Sequence, residues 1–98
     1  MSVYEQLKSR RSEILRISGQ HGAYNLRLFG SVLRGDDRPD SDIDIDILVE
    51  LEPRRTLLDR IGLMQDLEDL LGRRVDVVTE KALHAYIRTE VLKQAVPL

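Results

Sequence analysis

"LFGSVLRGDDRPDSDIDIDILVE", residues 28–50, sets aspartates at 42, 44 and 46 within what otherwise reads as a β-strand. Asp is a poor strand former, and neighbouring carboxylates repel one another. Between residues 36 and 52 stand eight acidic side chains and one basic side chain, Arg38. Such a run needs a positive charge to offset it. Strand side chains alternate, so Ile43, Ile45 and Ile47 fall on one face and Asp42, Asp44 and Asp46 on the other. Asp42 and Asp44 then lie roughly 6–7 Å apart at about 3.3 Å per residue. Carboxylates so placed can each bind, or jointly bridge, hard divalent cations, and magnesium takes one or two of them plus phosphate oxygens. Bound metal is the expected compensation.

Upstream, residues 3 to 18 read as a helix, with Leu7, Ile14 and Leu15 at roughly helical spacing and Gly19 and Gly22 as a stop. "AYNLRLF" (23–29) is a first strand, in which Tyr24, Leu26 and Leu28 alternate. The Gly30-Ser31 pair then turns sharply into a short helix. Downstream, a wide apolar stripe of Leu57, Leu58, Ile61, Met64, Leu67, Leu70 and Leu71 marks a helix from about 54 to 71. Pro53 suits its first turn and Gly72 its end. "RRVDVVT" (73–79) is a third strand, and the tail is expected to be helical through about Gln94. The pattern predicts a single domain over residues 1–98, a small α/β (α+β) fold with one mixed sheet packed with helices.

The chain has 98 residues, 42% hydrophobic and 33% charged, the composition of one ordinary globular domain. A net charge of −2 argues against gripping nucleic acid through a broad basic surface. Cysteine is absent, which excludes disulfides and thiolate metal sites. The sequence shows neither a signal peptide nor an 18-residue apolar run, so no membrane role is expected and the cytoplasm is the expected setting. His21 and His84 lack metal-ligand partners at useful spacing and are read as surface residues.

The candidate chemistry joins two stretches. A strand ending in Gly30-Ser31 and turning into a helix presents backbone N–H groups to an anion. Gly30 lets a phosphate approach the backbone, the Ser31 hydroxyl can donate to it, and Arg34 can reach it with a guanidinium fork. Asp76 interrupts the buried pattern of "VDVV" and is the candidate third carboxylate, since an ionised group there needs a partner or a metal. These parts suit phosphoryl or nucleotidyl transfer assisted by two metals.

Gly30-Ser31, ten intervening residues (32–41) and Asp42-Ile43-Asp44 resemble the signature of the DNA polymerase β-like nucleotidyltransferase superfamily. The longer stretch "GSVLRGDDRPDSDID" looks like the minimal nucleotidyltransferase (MNT) domain, and with "VDVV" and the chain length the resemblance covers nearly the whole sequence. It implies the polymerase β-like fold, ATP as substrate and Mg2+ as cofactor. Gly30, Ser31 and Arg34 would bind nucleotide, and Asp42, Asp44 and Asp76 would be the catalytic, metal-binding set. It also implies a HEPN-domain toxin as partner, an RNase that the MNT protein silences by moving AMP onto one of its tyrosines. Asp46 stands where the family often has Leu and leaves a shifted pair, Asp44 with Asp46, open; the ten-residue spacing favours Asp42 and Asp44.

Other readings use the same residues. The aspartates could guard an edge strand against aggregation, Arg34 could pair with Asp36 or Asp40, and Asp76 with Arg73 or Arg74. The protein could inhibit a toxin by covering it, without catalysis. It could also modify a small molecule alone, although 98 residues leave little room for an acceptor domain. In the last helix, Leu83, Ile87, Val91 and Ala95 recur every four residues, to pack on the sheet or to dock on a partner.

Overall fold

The computed structural model describes residues 2–33 and 44–98. In chain order these form α1 (Val3–Ser9), α2 (Arg11–Gln20), β1 (Ala23–Phe29), a 3-10 turn (Gly30–Leu33) and β2 (Ile45–Leu51). There follow α3 (Leu57–Leu71), β3 (Val75–Thr79), a second 3-10 turn (Glu80–Ala82), α4 (Ala85–Gln94) and β4 (Val96–Pro97). The strands make one mixed sheet in the order β3-β2-β1-β4. β1 runs antiparallel to β2 and to β4, whereas β2 and β3 are parallel. A parallel pair needs a crossover, which α3 supplies. The expected mixed sheet with helices is present.

The main core lies on one side of that sheet. Ile45, Ile47 and Val49 of β2, Val75 and Val77 of β3, and Leu26 and Leu28 of β1 meet Val3 and Leu7 of α1, Ile14 of α2, and Leu63 and Leu67 of α3. The strict alternation of β2 sends its even-numbered side chains, Asp46 and Leu48, to the opposite face. Leu48 and Val91 are buried but stand outside this cluster. Among the described residues no helix is long and apolar enough to cross a membrane.

Local chemistry explains where elements begin and end. The helix expected over 3–18 is two helices, because Arg10 leaves helical geometry at φ −107°, ψ 18°. Its guanidinium donates at 2.8 Å to the carbonyl of Leu70, one of the last-turn oxygens of α3 that have no partner within the helix. α3 starts later than expected. Thr56 caps it by accepting from the Leu58 N–H, and Asp59 reciprocates by accepting from the Thr56 N–H at 2.8 Å. Pro53 therefore sits in the preceding turn, and Leu57 and Leu58 are exposed instead of extending the apolar stripe. Gly72 closes the helix in the left-handed region, φ +66°, as its position suggested.

Strand β1 is irregular as well. Asn25 adopts φ +52° and its side-chain amide donates to Glu50 at 2.7 Å, where the β1–β2 register shifts between Tyr24 and Arg27. The shift turns Tyr24 out to 50% exposure, although plain alternation grouped it with Leu26 and Leu28. The tail is helical only from Ala85, and after α4 the chain returns to the sheet as β4, an element the sequence pattern did not suggest. Of the four-residue repeat in that tail, Val91 is buried while Ile87 is 43% exposed.

Candidate functional site

The turn after β1 is built around Gly30. Its φ of +77° lies in the left-handed region, which side chains with a Cβ rarely adopt. Space matters too: a Cβ on residue 30 would stand 3.3 Å from Cγ of Asp46 and inside any permitted distance from its Oδ2. The Asp46 carboxylate therefore rests against the Gly30 backbone. The turn itself is a single 3-10 turn of four residues, Gly30–Leu33, not an α-helix.

Register places Asp76 beside Asp46. Asp46 is paired with Phe29 of β1 on one flank and with Asp76 of β3 on the other. Residues paired across strands share a face, and adjacent strands lie about 4.7–4.9 Å apart, so Asp46 and Asp76 project together from neighbouring backbones. Two contacts secure that alignment one residue earlier. The Ile45 N–H donates to the Arg74 carbonyl at 2.9 Å, and the Val75 N–H donates to the Glu68 carboxylate of α3 at 3.0 Å. Asp46 is half-buried, whereas Asp44, just ahead of β2, and Asp76 are exposed. Asp76 enters none of the ion pairs formed among the described residues, so the suggested pairing with Arg73 or Arg74 is not what orders it.

Of the residues singled out in the sequence, Asp46 and Asp76 are thus paired on neighbouring strands, Gly30 lies against Asp46 just past the end of β1, Ser31 follows within the turn, and Asp44 precedes β2. Asp42 and Arg34 lie outside the described residues. His21, read as a surface residue, is partly exposed: its Nε2 lies 2.6 Å from Oδ2 of Asp66, and its ring packs over Gly62, linking α2 to α3.

One residue escaped the sequence reading. Arg27 pairs with Leu48 and so shares the face of Asp46, diagonally across the ladder. Only 14% of its side chain is exposed. Nη1 donates to Glu80 at 3.3 Å and Nε to the Asn25 carbonyl at 3.3 Å, while Nη2 is buried with no partner among the described residues. The alternation of "NLRLF" around apolar neighbours could have marked it, since a cation inside a strand calls for an anion nearby.

The donor set bears on metal binding. Among the described residues no three His, Asp or Glu side chains converge closely enough to hold an ion unaided. Magnesium seldom asks for that; it is usually held by one or two carboxylates together with substrate phosphates and water. The paired carboxylates of Asp46 and Asp76 beside the Gly30-Ser31 turn are compatible with that habit.

Comparison with known proteins yields consistent matches. The family described as the nucleotidyltransferase domain matches residues 7–98. A Thermococcus cleftensis protein named protein adenylyltransferase MntA is 43% identical over 75 residues, covering 76% of this chain and 74% of its own. A Methanocaldococcus jannaschii protein bearing the name protein adenylyltransferase is 37% identical over 86 residues, 88% of this chain and 90% of its own. A solved structure named as a minimal nucleotidyltransferase superposes with a TM-score of 0.83 at 48% identity, over 100% of this chain and 97% of that one. More distant structures share the fold. A toxin–antitoxin with AMP-PNP has TM-score 0.72 and 24% identity over 88% of this chain and 69% of that one. The tri-AMPylated HEPN toxin of Shewanella oneidensis with its MNT antitoxin has TM-score 0.67 and 22% identity over 92% and 69%.

Proposed function

The chain belongs to the nucleotidyltransferase domain family, and from that premise we propose that it is a cytoplasmic antitoxin that transfers AMP from ATP to a tyrosine of a partner HEPN toxin. The observation that carries this reading is the packing of the Asp46 carboxylate against the Gly30 turn, with Asp76 paired to Asp46 on the neighbouring strand. The adenylyltransferase names of its relatives support the reaction. The toxin–antitoxin complexes among its structural neighbours support the partner.

In this reading the Gly30-Ser31 turn receives the triphosphate, the backbone by close approach and the Ser31 hydroxyl by donation, with Arg34 as a further contact. Two aspartates of the 42–46 run, together with Asp76, would hold Mg2+, which when bound offsets phosphate charge and makes an attacking hydroxyl more acidic. The tyrosine oxygen forms a bond to the α-phosphorus, the bond from that phosphorus to the bridging oxygen breaks, and pyrophosphate leaves. One of these aspartates accepts the phenolic proton. In this reading the partner brings the acceptor.

Incubating the protein with its toxin, ATP and magnesium and weighing the intact toxin tests the proposal. A mass gain of one or more AMP units, lost on Asp76→Asn, is the expected outcome. Suppression of toxicity with no added mass would replace it with inhibition by binding alone.

A further inference from the structure

Resting on that transferase reading, we infer that the strand carboxylates completing the site with Asp76 are Asp44 and Asp46, not Asp42 and Asp44. The sequence contains Asp-Ile-Asp twice in overlap, at 42–44 and at 44–46. A one-residue slip of a strand exchanges its faces, whereas a two-residue slip leaves every isoleucine in the core. The hydrophobic pattern is therefore blind to the choice, and a count from Gly30-Ser31 is the only sequence criterion left. The structure adds another criterion, the strand register.

The place beside Asp76 and against Gly30 is held by Asp46. Its Cα is paired with Asp76 in the parallel ladder and with Phe29, the last residue of β1, in the antiparallel one. A Cβ at residue 30 would collide with its carboxylate. Ligands of one magnesium ion sit about 2.0–2.1 Å from it, so the carboxylates that share an ion must meet at a single point of the sheet. That point is next to the turn that faces phosphate, and one strand position can occupy it. Asp44, two residues earlier and exposed just ahead of β2, is the adjoining carboxylate. The segment between Ser31 and the first ligand then comprises residues 32–43, two longer than the spacing suggested.

The assignment makes Asp46 a metal ligand and frees Asp42 from that duty. Binding of Mn2+ to the full chain in the presence of a non-hydrolysable ATP analogue, read by electron paramagnetic resonance, tests it without recourse to activity. Asp46→Asn and Asp44→Asn are expected to weaken Mn2+ binding by at least about 10–100-fold, the loss that removing even an outer partner of a metal ligand brings. Asp42→Asn is expected to leave it within about two-fold. Circular dichroism melts accompany each variant, and Asp46→Glu, which keeps the charge but moves the carboxylate, replaces Asp46→Asn if that chain does not fold. Loss of binding in Asp42→Asn with retention in the Asp46 variant overturns the assignment and leaves the transferase reading standing. Failure of the unmutated chain to bind Mn2+ with nucleotide overturns both.

Discussion

Replacing Gly30 by alanine separates two effects that meet at one atom. Residue 30 has φ +77°, and an L-residue with a Cβ held in the left-handed region loses roughly 1–2 kcal/mol. The new methyl would also stand under 3.0 Å from Oδ2 of Asp46, where ordinary van der Waals contact begins at 3.4 Å. The carboxylate must give way, because the other party is backbone. Together strain and displacement predict a destabilisation of about 2 kcal/mol, or a fall in Tm of roughly 8–16 °C for a domain of this size. Displacing a ligand or catalytic group by about 1 Å can weaken function on the order of 100-fold, so nucleotide-dependent Mn2+ binding should fall far more steeply than stability. Urea unfolding and an Mn2+ titration on the same preparation measure both. A Gly30→Ala protein that melts like the parent and binds Mn2+ equally well would refute the reasoning, since neither the turn nor the close approach would then matter.

Three further substitutions probe other parts of the frame. Arg27→Met removes a guanidinium that is buried and only partly paired, while Glu80 stays 44% exposed to water; stability by urea unfolding should change by less than about 1 kcal/mol or rise. A loss above about 3 kcal/mol would mean that Arg27 is a fully compensated ion. Glu68→Ala removes the carboxylate that accepts from the Val75 N–H and should cost about 1–2 kcal/mol, with an unchanged urea midpoint counting against that anchor. Asp59 has its pKa lowered from 3.8, first by the Thr56 backbone hydrogen bond, with burial opposing and Arg55 assisting. A lowered folded-state pKa stabilises above the unfolded value and loses that contribution as pH falls through the folded one. The difference in urea midpoint between the parent and Asp59→Asn should therefore be full at neutral pH and shrink below pH 3.8; a difference constant into strong acid would contradict it.

What could be read from the chain follows the reach of each signal. Ile45 and Ile47 on the core face, Asp76 between buried Val75 and Val77, and Gly72 closing α3 are local patterns with periods of two or 3.6, and the structure repeats them. The break at Arg10 was hidden because its anchor, the Leu70 carbonyl, lies sixty residues away. Tyr24 was misplaced because a single residue, Asn25, in a left-handed conformation shifts the register, and Asn tolerates that conformation without announcing it. The start of α3 at Leu57 was legible in principle from the Thr56 and Asp59 capping box, yet Pro53, read as suiting the first turn, drew the expected start back to about 54. β4 contributes two residues and has no pattern of its own. At the candidate site, residue types were legible but register was not, since an alternating Asp-Ile repeat looks identical after sliding by two.

The sheet order puts β2 between β3 and β1, and this bears on how the protein breathes. Backbone amides laddered on both flanks and backed by a dry core open only with the whole domain, so those of β2 should be among the last to exchange with deuterium. Helix α4, with most of its surface in water, and the two-residue β4 sit at the opposite end of that scale. Asp46 thus rides on the slowest-opening strand of the fold while the flanking parts exchange quickly. A partner that needs an adaptable fit would find it in the walls of the site, and a floor whose spacing does not change from one encounter to the next.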